Sequence, residues 1–184
     1  MLDDQEKRNE AVLTKNDGRW VAYFDIDGVL TDGKFTYSSL GKSFKRFSVD
    51  DGDALKILNR VLPVTLISAD RRGASISGAR ARDLSLNFQL LSAQERLQEF
   101  QQAQDRSKVM YMGDGIFDGL IFKFVDYSIA PQDALDHTKA QADFVTSRIA
   151  GNRAVAEACL HLLDYLGFGS ETMISQYFSG AKPS

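Results

Sequence analysis

The sequence predicts a doubly wound α/β domain with a mainly parallel sheet, and three observations carry that expectation. Short apolar runs alternate with stretches of helical period along the whole chain. Acidic residues stand directly after three of those runs. The length, 184 residues, suits one domain of ordinary size, which buries about 70% of the surface its unfolded chain exposes.

The elements follow in order. WVAYFDID (20–27), PVTLISA (63–69), NFQLL (87–91), KVMYMGD (108–114), YSIA (127–130) and DFVTS (143–147) have the apolar, β-favouring character of strands. Between them lie ALKILNRVL, RRGASISGARARDL, AQERLQEFQQAQ, GLIFKF and ALDHTKAQA, and NRAVAEACLHLLDYL closes the series; these have helical spacing. Alternation of this kind implies parallel strands joined by right-handed crossovers, with helices on both faces. One segment breaks the rhythm. GKFTYSSLGKSFKRFSVDDG (33–52) places Phe35, Tyr37, Phe44 and Phe47 around a Ser-Ser-Leu-Gly turn and predicts a β-hairpin, too short for a cap domain. The expected organisation is an N-terminal extension at 1–18, one domain at 19–168 and a C-terminal tail at 169–184.

Composition narrows the function classes. Hydrophobic residues at 43% and charged residues at 26% are globular proportions, and a net charge of −3 without a Lys/Arg run argues against nucleic-acid binding. Cys159 has no partner for a disulfide and sits in a helical stretch, as a buried thiol in a reducing compartment would. The charged N-terminus lacks the apolar core of a signal peptide, and no apolar run approaches the roughly 20 residues that span a bilayer. A cytoplasmic protein is the expectation.

In an open α/β sheet, ligands bind beyond the carboxyl ends of the strands. Three strand ends here carry polar groups: Asp25 and Asp27, then Ser68 and Asp70, then Asp114 and Asp118. A single Asp at such a place is commonly a turn former or helix cap. Several crowded carboxylates repel one another, however, and a hard divalent cation with oxygen ligands relieves that repulsion; magnesium fits. Gly113 and Gly115 flank a strand end but lack full dinucleotide-binding spacing, and Asp114 between them would repel a pyrophosphate. His137 and His161 have no third ligand or nucleophile at hand and are assigned no role.

The string FDIDGVLTDG (24–33) resembles the first motif of haloacid dehalogenase phosphatases. With the hairpin that follows, it is similar to the capless branch containing 3-deoxy-manno-octulosonate 8-phosphate phosphatases. The likeness continues through KRFSVDDGDALKIL, LISADRRGA, YMGDGIFD and TSRIAGNRAVAEACLHL, covering residues 20–166. It implies that Asp25 is a nucleophile forming an aspartyl-phosphate, a task for which a carboxylate is already ionised near neutral pH. It implies that Asp27 protonates the leaving oxygen, activates water, and lends its backbone carbonyl to magnesium. Asp25 and Asp114 would complete the metal site, and Ser68 would hydrogen-bond the transferring phosphoryl group.

Two positions depart from the family pattern. The usual lysine before the last acidic motif is missing from SAQERLQEF, where Arg96 stands in the first turn of a helix opened by a Ser92/Glu95 capping box. Gly115 replaces the second acid of the octulosonate phosphatases, which makes Asp118 the expected partner of Arg96 rather than a metal ligand. The resemblance implies a phosphorylated 2-keto-3-deoxy sugar acid as substrate, of the octulosonate 8-phosphate or nonulosonate 9-phosphate type used in lipopolysaccharide or capsule assembly. Arg71, Arg72 and Arg153 are candidates for its carboxylate, since guanidinium binds carboxylates bidentately.

The resemblance also implies a homotetramer built through the hairpin, and an isolated two-stranded ribbon does need a surface to pack on. An alternative is an assembly module with weakened chemistry, similar to the domain fused to animal sialic-acid cytidylyltransferases. Loss of the lysine favours it; retention of Asp25, Asp27, Ser68 and Asp114 opposes it. A receiver-like phospho-acceptor is opposed by the DxD pair and by TDG.

Overall fold

The computed structural model describes residues 19–103 and 107–180. Six parallel strands form the central sheet: β1 (Trp20–Asp25), β4 (Val64–Ser68), β5 (Asn87–Leu90), β6 (Lys108–Met112), β7 (Tyr127–Ala130) and β8 (Phe144–Val145). Their order is β5-β4-β1-β6-β7-β8, so β1 is central and the chain winds outward from it in both directions. That reversal opens a crevice at the carboxyl end of β1, where ligands of such sheets bind. Strands β2 (Thr36–Ser38) and β3 (Gly41–Phe44) form a separate antiparallel hairpin.

Side chains alternate between the two faces of the sheet, as strand pleating requires. One face buries Ala22, Phe24, Leu66, Met110 and Met112 under α1 (Val49–Leu58), α2 (Ala74–Asp83), α6 (Ala154–Tyr165) and α7 (Ser170–Ser179). The other buries Tyr23, Ile67, Val109 and Tyr111 under α3 (Ala93–Ala103) and the short α4 (Asp118–Ile121). The brief α5 (Asp136–Lys139) precedes β8. No cap domain occurs among the described residues, and no described helix is long and apolar enough to cross a membrane.

Three boundaries differ from the sequence reading. Residues 170–179, expected as a tail, form α7, which buries Met173 against the core between positive-φ glycines Gly169 and Gly180. Helix α1 begins at Val49 because the Ser48 hydroxyl caps it, accepting from Asp51 N at 3.4 Å. The first strand stops at Asp25 rather than running on to Asp27, for reasons that build the site. The extension at 1–18 lies outside the described residues.

Candidate active site

The first motif leaves β1 through a π-type turn over Ile26–Leu30. Thr31 locks that turn: its N–H donates to Ile26 O at 3.0 Å, its hydroxyl donates to Ile26 O at 3.2 Å, and the hydroxyl accepts from Gly28 N and Gly33 N. Gly28 has φ of 92°, and a Cβ there would stand 2.1 Å from an Asp114 carboxylate oxygen. Only glycine meets both demands. The turn sends Asp25 and Asp27 to different partners.

Asp25 is clasped by Arg96. The guanidinium donates from Nη1 to Asp25 Oδ2 at 2.8 Å and from Nη2 to Oδ1 at 3.1 Å, while Ile26 N donates to Oδ1 at 2.8 Å. The capping box forms, with Ser92 N donating to Glu95 Oε2 at 2.7 Å and Glu95 N to Ser92 Oγ at 3.3 Å. Arg96 in the next position turns inward and is buried instead of lying on a solvated helix face. Its Nη1 also donates to Tyr111 Oη at 2.7 Å, and Tyr111 donates to Asp118 Oδ1 at 2.6 Å. Asp118 Oδ1 lies 3.6 Å from Arg96, and its Oδ2 accepts from Asp114 N at 3.0 Å and Gly115 N at 2.8 Å. Asp118 thus braces both the cation and the loop that presents Asp114. Tyr111 was missed from sequence; its only signal was one phenol within an aliphatic strand run.

Asp27 belongs to a second cluster. Its Oδ2 accepts from Ser68 Oγ at 2.8 Å, and Ser68 Oγ accepts from Asp70 N at 3.0 Å. Lys45, another residue that sequence reading passed over, brings its ammonium 2.7 Å from Asp27 Oδ1 and 3.2 Å from Asp70 Oδ2.

Carboxylate oxygens of Asp25, Asp114 and Asp118 lie within 4.8 Å of one another. Burial, then the charges of Asp25 and Asp118, pushes Asp114 up to about 7. Burial also pushes Asp25 up to about 6, although Arg96 pulls the other way. Crowded hard oxygen donors that resist ionisation are the donor set a small divalent cation suits.

The three arginines suggested for a substrate carboxylate are not gathered here. Arg153, in a left-handed conformation at the start of α6, is tied to Asp50 by an exposed ion pair. Arg71 and Arg72 are exposed. A cavity of about 580 Å³ beside the end of the first motif is instead lined by Asp32, Lys34, Arg46, Asp133 and Asn152 among others.

No family model matches the chain. The 3-deoxy-D-manno-octulosonate 8-phosphate phosphatase KdsC of Escherichia coli K12 is 31% identical over 159 residues, covering 83% of each chain. The cobalt-bound deoxy-D-mannose-octulosonate 8-phosphate phosphatase of Haemophilus influenzae superposes with a TM-score of 0.75 at 29% identity, over 92% of this chain and 99% of that one. The Moraxella catarrhalis phosphatase, solved with magnesium, phosphate and the octulosonate, shares the fold with a TM-score of 0.77 at 24% identity, over 92% of this chain and 98% of that one. At 31% identity over 83% of each chain to the Escherichia coli enzyme, the chain belongs to the 3-deoxy-D-manno-octulosonate 8-phosphate phosphatase family of the haloacid dehalogenase superfamily, and it is a hydrolase of phosphoric monoesters.

Proposed function

We propose that the protein hydrolyses the phosphate ester of a 2-keto-3-deoxy sugar acid, of the octulosonate 8-phosphate or nonulosonate 9-phosphate type, through an aspartyl-phosphate on Asp25. The observation that carries this reading is the clasp of Arg96 on both oxygens of Asp25, braced behind by Tyr111 and Asp118. A carboxylate held at a fixed angle, beside a cation that can also bind phosphoryl oxygen, has what in-line phosphoryl transfer needs.

Asp25 yields one oxygen from the fork and attacks phosphorus, forming an acyl phosphate as the ester P–O bond breaks. Asp27, supported by Ser68, gives the departing sugar oxygen its proton. It then takes a proton from the water that attacks phosphorus, and the bond to Asp25 breaks, restoring the Asp25 carboxylate and the protonated Asp27. Arg96 stays fixed through both halves and faces the charge that builds on the phosphoryl oxygens. Asp25, Asp114 and the backbone carbonyl of Asp27 would hold Mg2+, which when bound partly cancels phosphoryl charge.

The cavity beside Asp32 suits the rest of the sugar acid, with Lys34 and Arg46 at its wall as its cations, each of which also pairs with Asp32 and would have to exchange that partner for a substrate carboxylate. The hairpin exposes Phe35, Tyr37, Phe44 and, at 98%, Leu40, which supports a homotetramer assembled through this arm. The reading includes a cytoplasmic location; no described helix is long and apolar enough to cross a membrane. Phosphate release from a panel of sugar-acid phosphates with Mg2+ tests the reading. Turnover of a 2-keto-3-deoxy sugar-acid phosphate well above that of simple hexose phosphates supports it, and indifference among them removes the substrate assignment.

A further inference from the structure

Lys45 lies just beyond β3, and its side chain is 1% exposed. An ammonium taken out of water that far must be compensated on every side. Its Nζ donates to Ser77 Oγ on α2 at 2.9 Å and sits 2.7 Å from Asp27 Oδ1 and 3.2 Å from Asp70 Oδ2. Lys42, on the same hairpin, pairs with the other oxygen of Asp70. The ring of Phe35 covers both ammonium groups, its centroid 3.4 Å from Lys42 Nζ and 5.6 Å from Lys45 Nζ. Gly73 closes the cluster from the far side: a Cβ there would stand 2.2 Å from Asp70 Oδ2 and 3.0 Å from Lys45 Cε.

We infer that Lys45 is a positioning residue for Asp27, so that seating of the hairpin on Asp70 and Ser77 sets the aim of the acid–base carboxylate. The inference rests on the reading of Asp27 given above and adds to it the residue that acts through it. Ser68 and Lys45 hold opposite oxygens of Asp27, which leaves the carboxylate little freedom to rotate. Without Lys45 only the Ser68 contact would fix it. An arm that carries this lysine couples the surface outside the site to the proton transfer inside it.

A lysine that merely pinned the hairpin would slow all substrates alike, whereas one that aims a proton donor matters most where the leaving group needs a proton. An octulosonate 8-phosphate departs as an alkoxide that must be protonated while the P–O bond breaks; p-nitrophenyl phosphate departs as a stable phenolate. Lys45→Met should therefore lower kcat/KM on octulosonate 8-phosphate about 100-fold, in the range of general acid catalysis, and on p-nitrophenyl phosphate by less than about tenfold. In an Asp27→Asn background the same change should add less than about twofold. Equal losses on both phosphates, no loss on the sugar-acid phosphate, or a full additional loss in the Asp27→Asn background would overturn the inference. Should Lys45→Met fail to give a cooperative melt, Asp70→Asn decides. A loss confined to the sugar-acid phosphate supports the coupling, and a uniform loss or none contradicts it. Parent hydrolysis of both phosphates, abolished by Asp25→Asn, checks the underlying reading apart from Lys45.

Discussion

Arg96 donates to both carboxylate oxygens of Asp25 at 2.8 and 3.1 Å, across a separation of 71 residues, and this fork joins α3 to the end of β1. Planar bidentate geometry is what distinguishes arginine from lysine at such a place. If the guanidinium both orients the nucleophile and meets phosphoryl charge, Arg96→Ala should lower kcat/KM by about 30- to 1,000-fold, or ~2–4 kcal/mol. Arg96→Lys should recover only part of the loss, because one ammonium cannot hold both oxygens and Tyr111 together. Steady-state kinetics on the three proteins checks this, and unchanged efficiency in Arg96→Ala would relegate the residue to structure.

Tyr111 bridges Arg96 to Asp118, and burial, followed by the Asp118 charge, raises its pKa well above the usual 10, so it stays a neutral donor. Tyr111→Phe leaves Asp118 Oδ1 short of its phenol donor and should cost about 1–3 kcal/mol in stability. Catalytic efficiency should fall with it, since Arg96 loses its brace. Denaturant unfolding of the variant and parent measures the first effect.

Asp25 and Asp114 hold their protons more tightly folded than unfolded, with values of about 6 and about 7 against the usual 3.8. Their contribution to stability is full below the unfolded value and is lost as pH rises through 6 and 7. Asp32, Asp70 and Glu95 are shifted the opposite way, but their gain is complete by about pH 5. In chelator, the melting temperature should therefore fall between pH 5 and 8. Asp114→Asn should flatten that fall, and so should Mg2+ in the parent protein. A melting temperature that rises over this interval in chelator contradicts the assignment of strain to these two carboxyls.

The hairpin leaves Leu40 and Phe44 in solvent, on a ribbon too small to be stable alone. Light scattering at micromolar concentration should give a tetramer mass for the intact protein. Leu40→Ser combined with Phe44→Ser should shift it toward smaller species. A monomer from the unaltered protein would leave those side chains without a covering surface and sink the assembly claim.

Much of this arrangement was legible in the sequence, because apolar β-favouring runs mark each of the six strands and the Ser92/Glu95 box marks the start of α3. The acidic strand ends were equally visible. What was not legible depends on contacts distant in sequence. Lys45 lies among polar hairpin residues and looks like a solvated charge until the fold brings Asp27, Asp70 and Ser77 to it. Helix α7 is built largely from polar residues, and Met173 alone is fully buried, so its period is faint. The three arginines had guanidinium chemistry in their favour, but Arg153 is tied to Asp50 and Arg71 and Arg72 face solvent. The strand end at Asp25 depends on the Thr31 lock, a hydrogen-bond pattern that no periodicity reveals.

Phosphate release from 3-deoxy-D-manno-octulosonate 8-phosphate, measured with Mg2+ for the parent and for Asp25→Asn, bears most directly on the mechanism. Asparagine preserves the shape of Asp25 but supplies no anionic nucleophile, so turnover should fall by at least about 10⁴-fold while the protein keeps a cooperative melt. Parent activity should vanish in excess chelator and return with added Mg2+. An Asp25→Asn protein that turns over within tenfold of the parent, or a parent that works undiminished in chelator, would contradict the account.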